Sequence, residues 1–189
     1  KGRTKFFLDN KDKEVIDDLT QAINLDPYNF DAYDFRGRSK YYLKMYLEAL
    51  EDFNKAIQLN PNNSKYFQMR GRTYHFGFDK NKEALKDFNK TIQIDPEFAD
   101  NFYFRGICFF NQNKYSEALE NFNRAIQLNR NDSEYFQMRG QTYNDGFNNY
   151  KEALEDYNQA IGIKERKRYL IYRGALHIDL DNYELGIND

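Results

Sequence analysis

The pair Arg-Gly recurs along this chain at Gly37, Gly71, Gly106, Gly140 and Gly174, in steps of 34, 35, 34 and 34 residues. Nothing else in the sequence restricts the fold as much. Self-similarity at such a period marks stacked supersecondary units, none of which buries its apolar face alone. Twelve or thirteen residues after each glycine, a small residue opens a second pattern: Ala49, Ala84, Ala118, Ala153 and Gly186. Gly2 and Val15 carry the register backward, because "KGRTKFFLDNKDKEV" aligns with "RGRTYHFGFDKNKEA" without a gap. Six units follow, with approximate bounds 1–27, 28–61, 62–96, 97–130, 131–165 and 166–189, the first and last incomplete. The stretch "YFQMRG" occurs at Tyr66 and again at Tyr135, 69 residues on, so a two-unit duplication underlies the array. Long and short units alternate. The additional residue of the long ones is expected in the internal turn, in the units that contain Gly77 and Gly146.

Each unit holds two helix-length patterns. In "EALEDFNKAIQLNP" the residues Ala49, Leu50, Phe53, Ala56 and Ile57 make one apolar stripe of helical period. Pro61 is expected to stop that helix, as are Pro27 and Pro96 in their own units. The half before it, "FDAYDFRGRSKYYL", is also helical by pattern, with a glycine in its middle. A glycine inside a helix costs about 0.5–1 kcal/mol against alanine. Five copies therefore predict two helices crossing too closely for a side chain, with Phe53, Phe88, Phe122 and Tyr157 filling the space around the crossing.

The spacing of Gly, Ala, aromatic, Ala/Thr and Pro resembles the tetratricopeptide repeat (TPR) family, over essentially the whole chain. The resemblance implies an all-α fold, a right-handed superhelical solenoid of helix–turn–helix units, forming one domain over residues 1–189. Arg130 and Glu165 stand where the family usually has proline, which predicts less sharp helix ends in those two units. Lys1 begins partway through a first helix and Asp189 stops shortly into a second. A solenoid needs polar capping units, so the chain is expected to be an excerpt of a longer protein.

The arginines before the glycines (Arg36, Arg70, Arg105, Arg139, Arg173) admit two readings. They form a row of anion-binding guanidiniums, or they brace carboxylates repeating in step at Asp18, Asp52, Asp87 and Asp156. The brace is favoured. Asn121 interrupts the acidic series and leaves Arg105 the freest of the row. The resemblance also implies a concave ligand groove, lined by the residue two before each glycine: Phe35, Met69, Phe104, Met138 and Tyr172. Tyr103 adjoins it. These residues either contact a ligand or pack between neighbouring first helices. The residue after each glycine is assigned the same face: Arg3, Arg38 and Arg72 early, Ile107, Gln141 and Ala175 late. Asp34 is placed to neutralise Arg38 within its helix. The gradient predicts a partner segment with acidic groups at one end and apolar ones at the other. The family's carboxylate clamp is absent, since its places hold Asp34 with Arg38, Met69, and Asp100 with Phe104.

Composition narrows the function further. A net charge of −2 over 189 residues gives no field for nucleic acid. The one dense basic run, "KERKR" at 164–168, falls between helical patterns and reads as a solvated turn. No apolar stretch approaches the length of a membrane span, and no signal peptide is visible. The lone Cys108 provides no disulfide framework, which points to the cytoplasm. It is read as a small core residue. His75 and His177 lack partners at metal-ligand spacing, so no cofactor or metal is implied, and no catalytic motif is present. The expectation is a protein–protein interaction scaffold and not an enzyme. The alternatives are a substrate-recruiting arm of a larger enzyme and a peptide-sensing regulator.

Overall fold

The computed structural model describes the backbone of residues 2–188 and the side chains of residues 13–180. Every regular element in it is an α-helix, and the all-α arrangement of tandem helix–turn–helix units stands as expected. The chain divides into two compact units, residues 1–96 and 97–189. Unit 1 holds α1 (Gly2–Leu25), α2 (Phe30–Tyr42), α3 (Tyr46–Leu59), α4 (Ser64–Phe78) and α5 (Asn81–Ile94). Unit 2 holds α6 (Ala99–Phe110), α7 (Tyr115–Leu128), α8 (Ser133–Phe147), α9 (Tyr150–Ile163) and α10 (Lys167–Asn188).

The glycine crossings are the packing centres of both units. A Cβ placed on Gly37 would lie 2.8 Å from the Phe53 ring, and one on Gly106 would lie 2.7 Å from Phe122. Gly71 and Gly140 meet Phe88 and Tyr157 in the same way. Those four rings are buried, together with the alanines that open their helices. Gly174 differs: among the described residues nothing lies within 4 Å of its Cβ position. The close crossing holds at four of the five glycines, and α10 has no second helix seated on it there.

Proline turns out not to set where the second helices end. The helices α3, α5, α7 and α9 each span 14 residues, including the two that lack a following proline. In each, the C-cap amide closes the last helical bond and the backbone then turns extended. An Asx turn supports this exit twice. The Asn60 side chain accepts the Asn62 amide, and Asn129 accepts that of Asn131. Asn63 and Asp132 then cap the next helices, accepting the amides of Lys65 and Glu134.

The additional residue of the long units enters the first helix and not the turn. Helices α4 and α8 have 15 residues against 13 for α2 and 12 for α6. Their connections shorten to residues 79–80 and 148–149. The added helical turn carries Gly77 and Gly146. A Cβ on Gly77 would lie 2.6 Å from the Tyr46 ring, and one on Gly146 2.5 Å from Tyr115. A second bond joins the same neighbours. The Tyr66 hydroxyl donates to Asp31 at 3.1 Å, and the Tyr135 hydroxyl donates to Asp100. Burial and the Asp31 carboxylate push the Tyr66 hydroxyl up to about 12, so it stays a donor at neutral pH. Each compact unit is thus organised around one short–long pair, and the boundary at 96 falls at the two-unit period.

At the two ends the helices run on. Helix α1 continues past the place where the register puts a turn, and so does α10.

The glycine contacts give opposite signs for one substitution. Gly37→Ala or Gly106→Ala is expected to destabilise by about 1–3 kcal/mol through overpacking. Gly174→Ala is expected to stabilise by about 0.5–1 kcal/mol, since only the helix propensity changes. Urea denaturation of the three variants checks this.

Candidate functional site

The arginine row is a set of staples. Arg70 on α4 grips Asp87 on α5 with Nε at 2.8 Å and Nη2 at 2.7 Å, and its Nη1 donates to Asn54 on α3 at 2.7 Å. Arg139 repeats the pattern with Asp156 on α9 and Asn123 on α7. Arg36 joins Asp52 on α3 to Thr20 on α1, and Lys40 adds a second cation on Asp52. Each guanidinium therefore ties a first helix to its own second helix and to the preceding one. The planar fork suits this three-way task better than an ammonium would. Arg105 is not freer for facing Asn121: its Nε donates to that carboxamide at 2.7 Å, and its guanidinium sits 5.5 Å over Phe102. Arg173 donates to Asn158 at 2.9 Å. Burial outweighs the guanidinium at Asp87 and Asp156 and holds both carboxyls above their ordinary range.

The basic run at 164–168 is also partly consumed internally. Arg166 and Arg168 both pair with Glu134, and both approach the Tyr169 ring. Lys164 and Lys167 remain exposed. His75 is buried, with Nδ1 2.6 Å from the Asn81 carboxamide, and Cys108 is fully buried.

The residues assigned to the ligand face separate into exposed and packed sets. In unit 1, Phe35 is 54% exposed, whereas Met69 is 3% exposed and packs with Ala49 and Phe53. Arg38 pairs with the buried Asp34 one helical turn back, at 2.9 Å. Burial raises the Asp34 carboxyl, and Arg38 opposes that shift. Arg72 lies 5.4 Å over the Tyr41 ring and donates to the Met69 sulfur at 3.8 Å. Arg3 lies outside the described side chains. In unit 2, Ile107 is buried, and Tyr103, Phe104 and Met138 pack against the cluster it forms with Ala118 and Phe122. Tyr103 also lies 5.0 Å from the Tyr135 ring. Tyr172 is 37% exposed and stacks on Tyr157 at 5.8 Å.

A surface column that the sequence reading passed over lies five residues after each glycine. It holds Tyr42, Phe76, Asn111, Asp145 and Asp179, and all five are exposed. The column is aromatic in unit 1 and acidic at the end of unit 2. Its regular spacing was available in the sequence. Among the described residues no three His, Cys, Asp or Glu side chains gather as a metal site, and no helix is long and apolar enough to cross a membrane.

Models of the tetratricopeptide repeat match residues 30–63, 99–132 and 133–167, together more than half of the chain. No curated protein matches it by sequence. Among solved structures it is similar to PilW, a widely conserved type IV pilus biogenesis factor. That likeness has 18% identity, a TM-score of 0.84, and coverage of 96% of this chain and 84% of the other. It is similar to YrrB, a TPR protein with an unusual peptide-binding site, at 23% identity, TM-score 0.70, and coverage of 91% and 88%. It is also similar to MamA from Desulfovibrio magneticus RS-1, at 18% identity, TM-score 0.74, and coverage of 87% and 92%. Identities this low speak for the fold alone.

The staples carry a prediction of their own. Arg70→Ala strands a buried carboxylate and is expected to cost about 2–4 kcal/mol, less than a fully buried pair because the guanidinium is part-exposed. Asp87→Asn copies the natural Arg105–Asn121 pairing and is expected to cost no more than about 1 kcal/mol at neutral pH. A carboxyl raised in the folded state lowers stability as pH climbs from its unfolded value of 3.8 through the higher folded value. The Asp87→Asn variant should therefore gain on the parent across that window and hold its gain above it. Urea midpoints between pH 3 and pH 7 test the sign.

Proposed function

Because the chain belongs to the tetratricopeptide repeat family, we propose that it is a protein-interaction scaffold taking an extended segment of a partner on its first-helix faces. The observation that carries the proposal is in unit 1. Phe35 stands exposed beside Arg38, one helical turn along α2, and Arg72 is held ready on the adjoining α4 by Tyr41 and Met69. A large exposed aromatic next to oriented guanidiniums provides contact area and charge without much ordering on binding. Neighbouring first helices lie about 10 Å apart, and an extended peptide advances roughly 3.3 Å per residue. Arg38 and Arg72 would then meet side chains about three residues apart, with acidic groups on that part of the partner and an apolar residue against Phe35.

Met69 and Ile107, being buried, support this face from beneath. Phe104, Met138 and Tyr103 are partly drawn into the core and contribute their remaining surface. The arginine row takes no part in recognition, since its guanidiniums are committed to Asp52, Asp87, Asn121 and Asp156. No catalytic step is proposed for the chain. The single buried Cys108 suits a scaffold working in the cytoplasm.

The test uses Phe35→Ala/Arg72→Glu, which alters one exposed and one part-buried group, and circular dichroism is expected to show the variant folded like the parent. A partner captured from the source cell by the parent should be lost by this variant. Its interacting segment should bind the parent at least tenfold more tightly than a charge-reversed copy, by fluorescence polarisation. Equal capture by parent and variant would remove recognition from this face.

A further inference from the structure

We infer that unit 2 carries a pocket for one cationic side chain, the end of a lysine or arginine, of the segment proposed above. The inference rests on that reading for the source of the cation but not for the pocket itself. Helices α8, α9 and α10 enclose a cavity of about 110 Å³. That exceeds the ~30 Å³ share of one water several-fold, and falls well short of the roughly 300 Å³ or more of a small-molecule site. Its size suits the tip of one long side chain.

The lining decides the chemistry. Asp145 and Asp179 bring two carboxylates, and Tyr157 and Tyr172 bring two stacked rings. Gln141 completes the polar side, and Leu176 forms part of the floor. Among the described residues no lysine or arginine lines the cavity. Among the described residues, the donors to Asp145 are carboxamides: Asn144 at 2.8 Å and Gln141 at 3.3 Å. On the other first helices, Asp34 meets Arg38, and Asp31 and Asp100 meet tyrosine hydroxyls, each a stronger donor than a carboxamide. Two carboxylates in a concave, ring-walled site focus a negative potential. The part-exposed Tyr172 ring adds its negative face, which attracts a cation within about 6 Å. An anion would be repelled, and a neutral apolar tip would gain nothing from either carboxylate. The polarity is opposite to that of Arg38 and Arg72 in unit 1.

The experiment titrates the chain with N-acetyl-arginine methylamide and N-acetyl-lysine methylamide and follows Tyr172, Ala175 and Leu176 by NMR. Saturable shifts are expected, at least tenfold weaker with the N-acetyl-norleucine analogue, and weakening as salt is raised. Asp145→Asn/Asp179→Asn, two exposed changes that leave the fold intact, should abolish them. Equal response to norleucine, or an unchanged response in the double variant, overturns the pocket. A partner segment lost with Phe35→Ala/Arg72→Glu yet indifferent to Asp145→Asn/Asp179→Asn also overturns it, and leaves the scaffold standing. Cation binding in a chain that takes no segment sustains the pocket and removes the scaffold.

Discussion

The close approach of a glycine backbone to a second-helix aromatic ring is the contact on which the rest depends. At Gly37 and Gly106 the rings of Phe53 and Phe122 leave no room for a Cβ, and at Gly71 and Gly140 the rings of Phe88 and Tyr157, with Ala153 at the latter, leave very little. Those rings are buried almost completely, so each crossing removes a large apolar surface from water in a unit too small for a core of its own. The alanines at the start of the second helices let the partner helix come equally near. Where that ring is missing, as at Gly174, the glycine keeps its propensity cost and gains nothing by contact.

The crossing brings the arginine staples into range and determines what they do. Once two helices touch at the glycine, the preceding residue points along the second helix toward its buried Asp or Asn. The ion pair then fixes the orientation of a contact made mainly by dispersion and burial. It is not a large net source of stability, because desolvation of the carboxylate opposes the attraction. That Asn121 replaces Asp in one unit with the arginine still bonded fits this division of labour. Specific geometry is retained while one buried charge is removed.

With the arginines tied inward, Tyr42, Phe76, Asn111, Asp145 and Asp179 are left at the surface of the first helices. Charge there is uneven. Unit 1 presents Arg38, Arg72 and exposed aromatic rings, and unit 2 presents Asp145 and Asp179 around a tyrosine pair. A nearly neutral chain therefore offers two local fields of opposite sign, which whole-molecule charge conceals. Under the scaffold function proposed above, each unit selects the charge opposite to its own in the part of a partner that it meets.

The periodic residues alone were enough for the helix pairs, four of the five glycine crossings and the Arg–Asp register, because each rests on spacing and a residue type with one physical use. Three features needed the tertiary structure. The additional residue of the long units went into a helix, since Gly77 and Gly146 let Tyr46 and Tyr115 close in, a contact between residues about thirty apart that no local pattern reports. The second helices ended at one length with or without proline, since each leaves the helix through a cap residue of extended backbone, with an Asx turn at Asn60 and Asn129. The face assigned to ligand was part core: Met69 and Ile107 share their columns with the exposed Phe35 and the half-exposed Arg38, and only the neighbours each one meets separate them. A repeat determines which positions are equivalent, whereas burial depends on what stands next to each copy, and that is decided only when the helices pack.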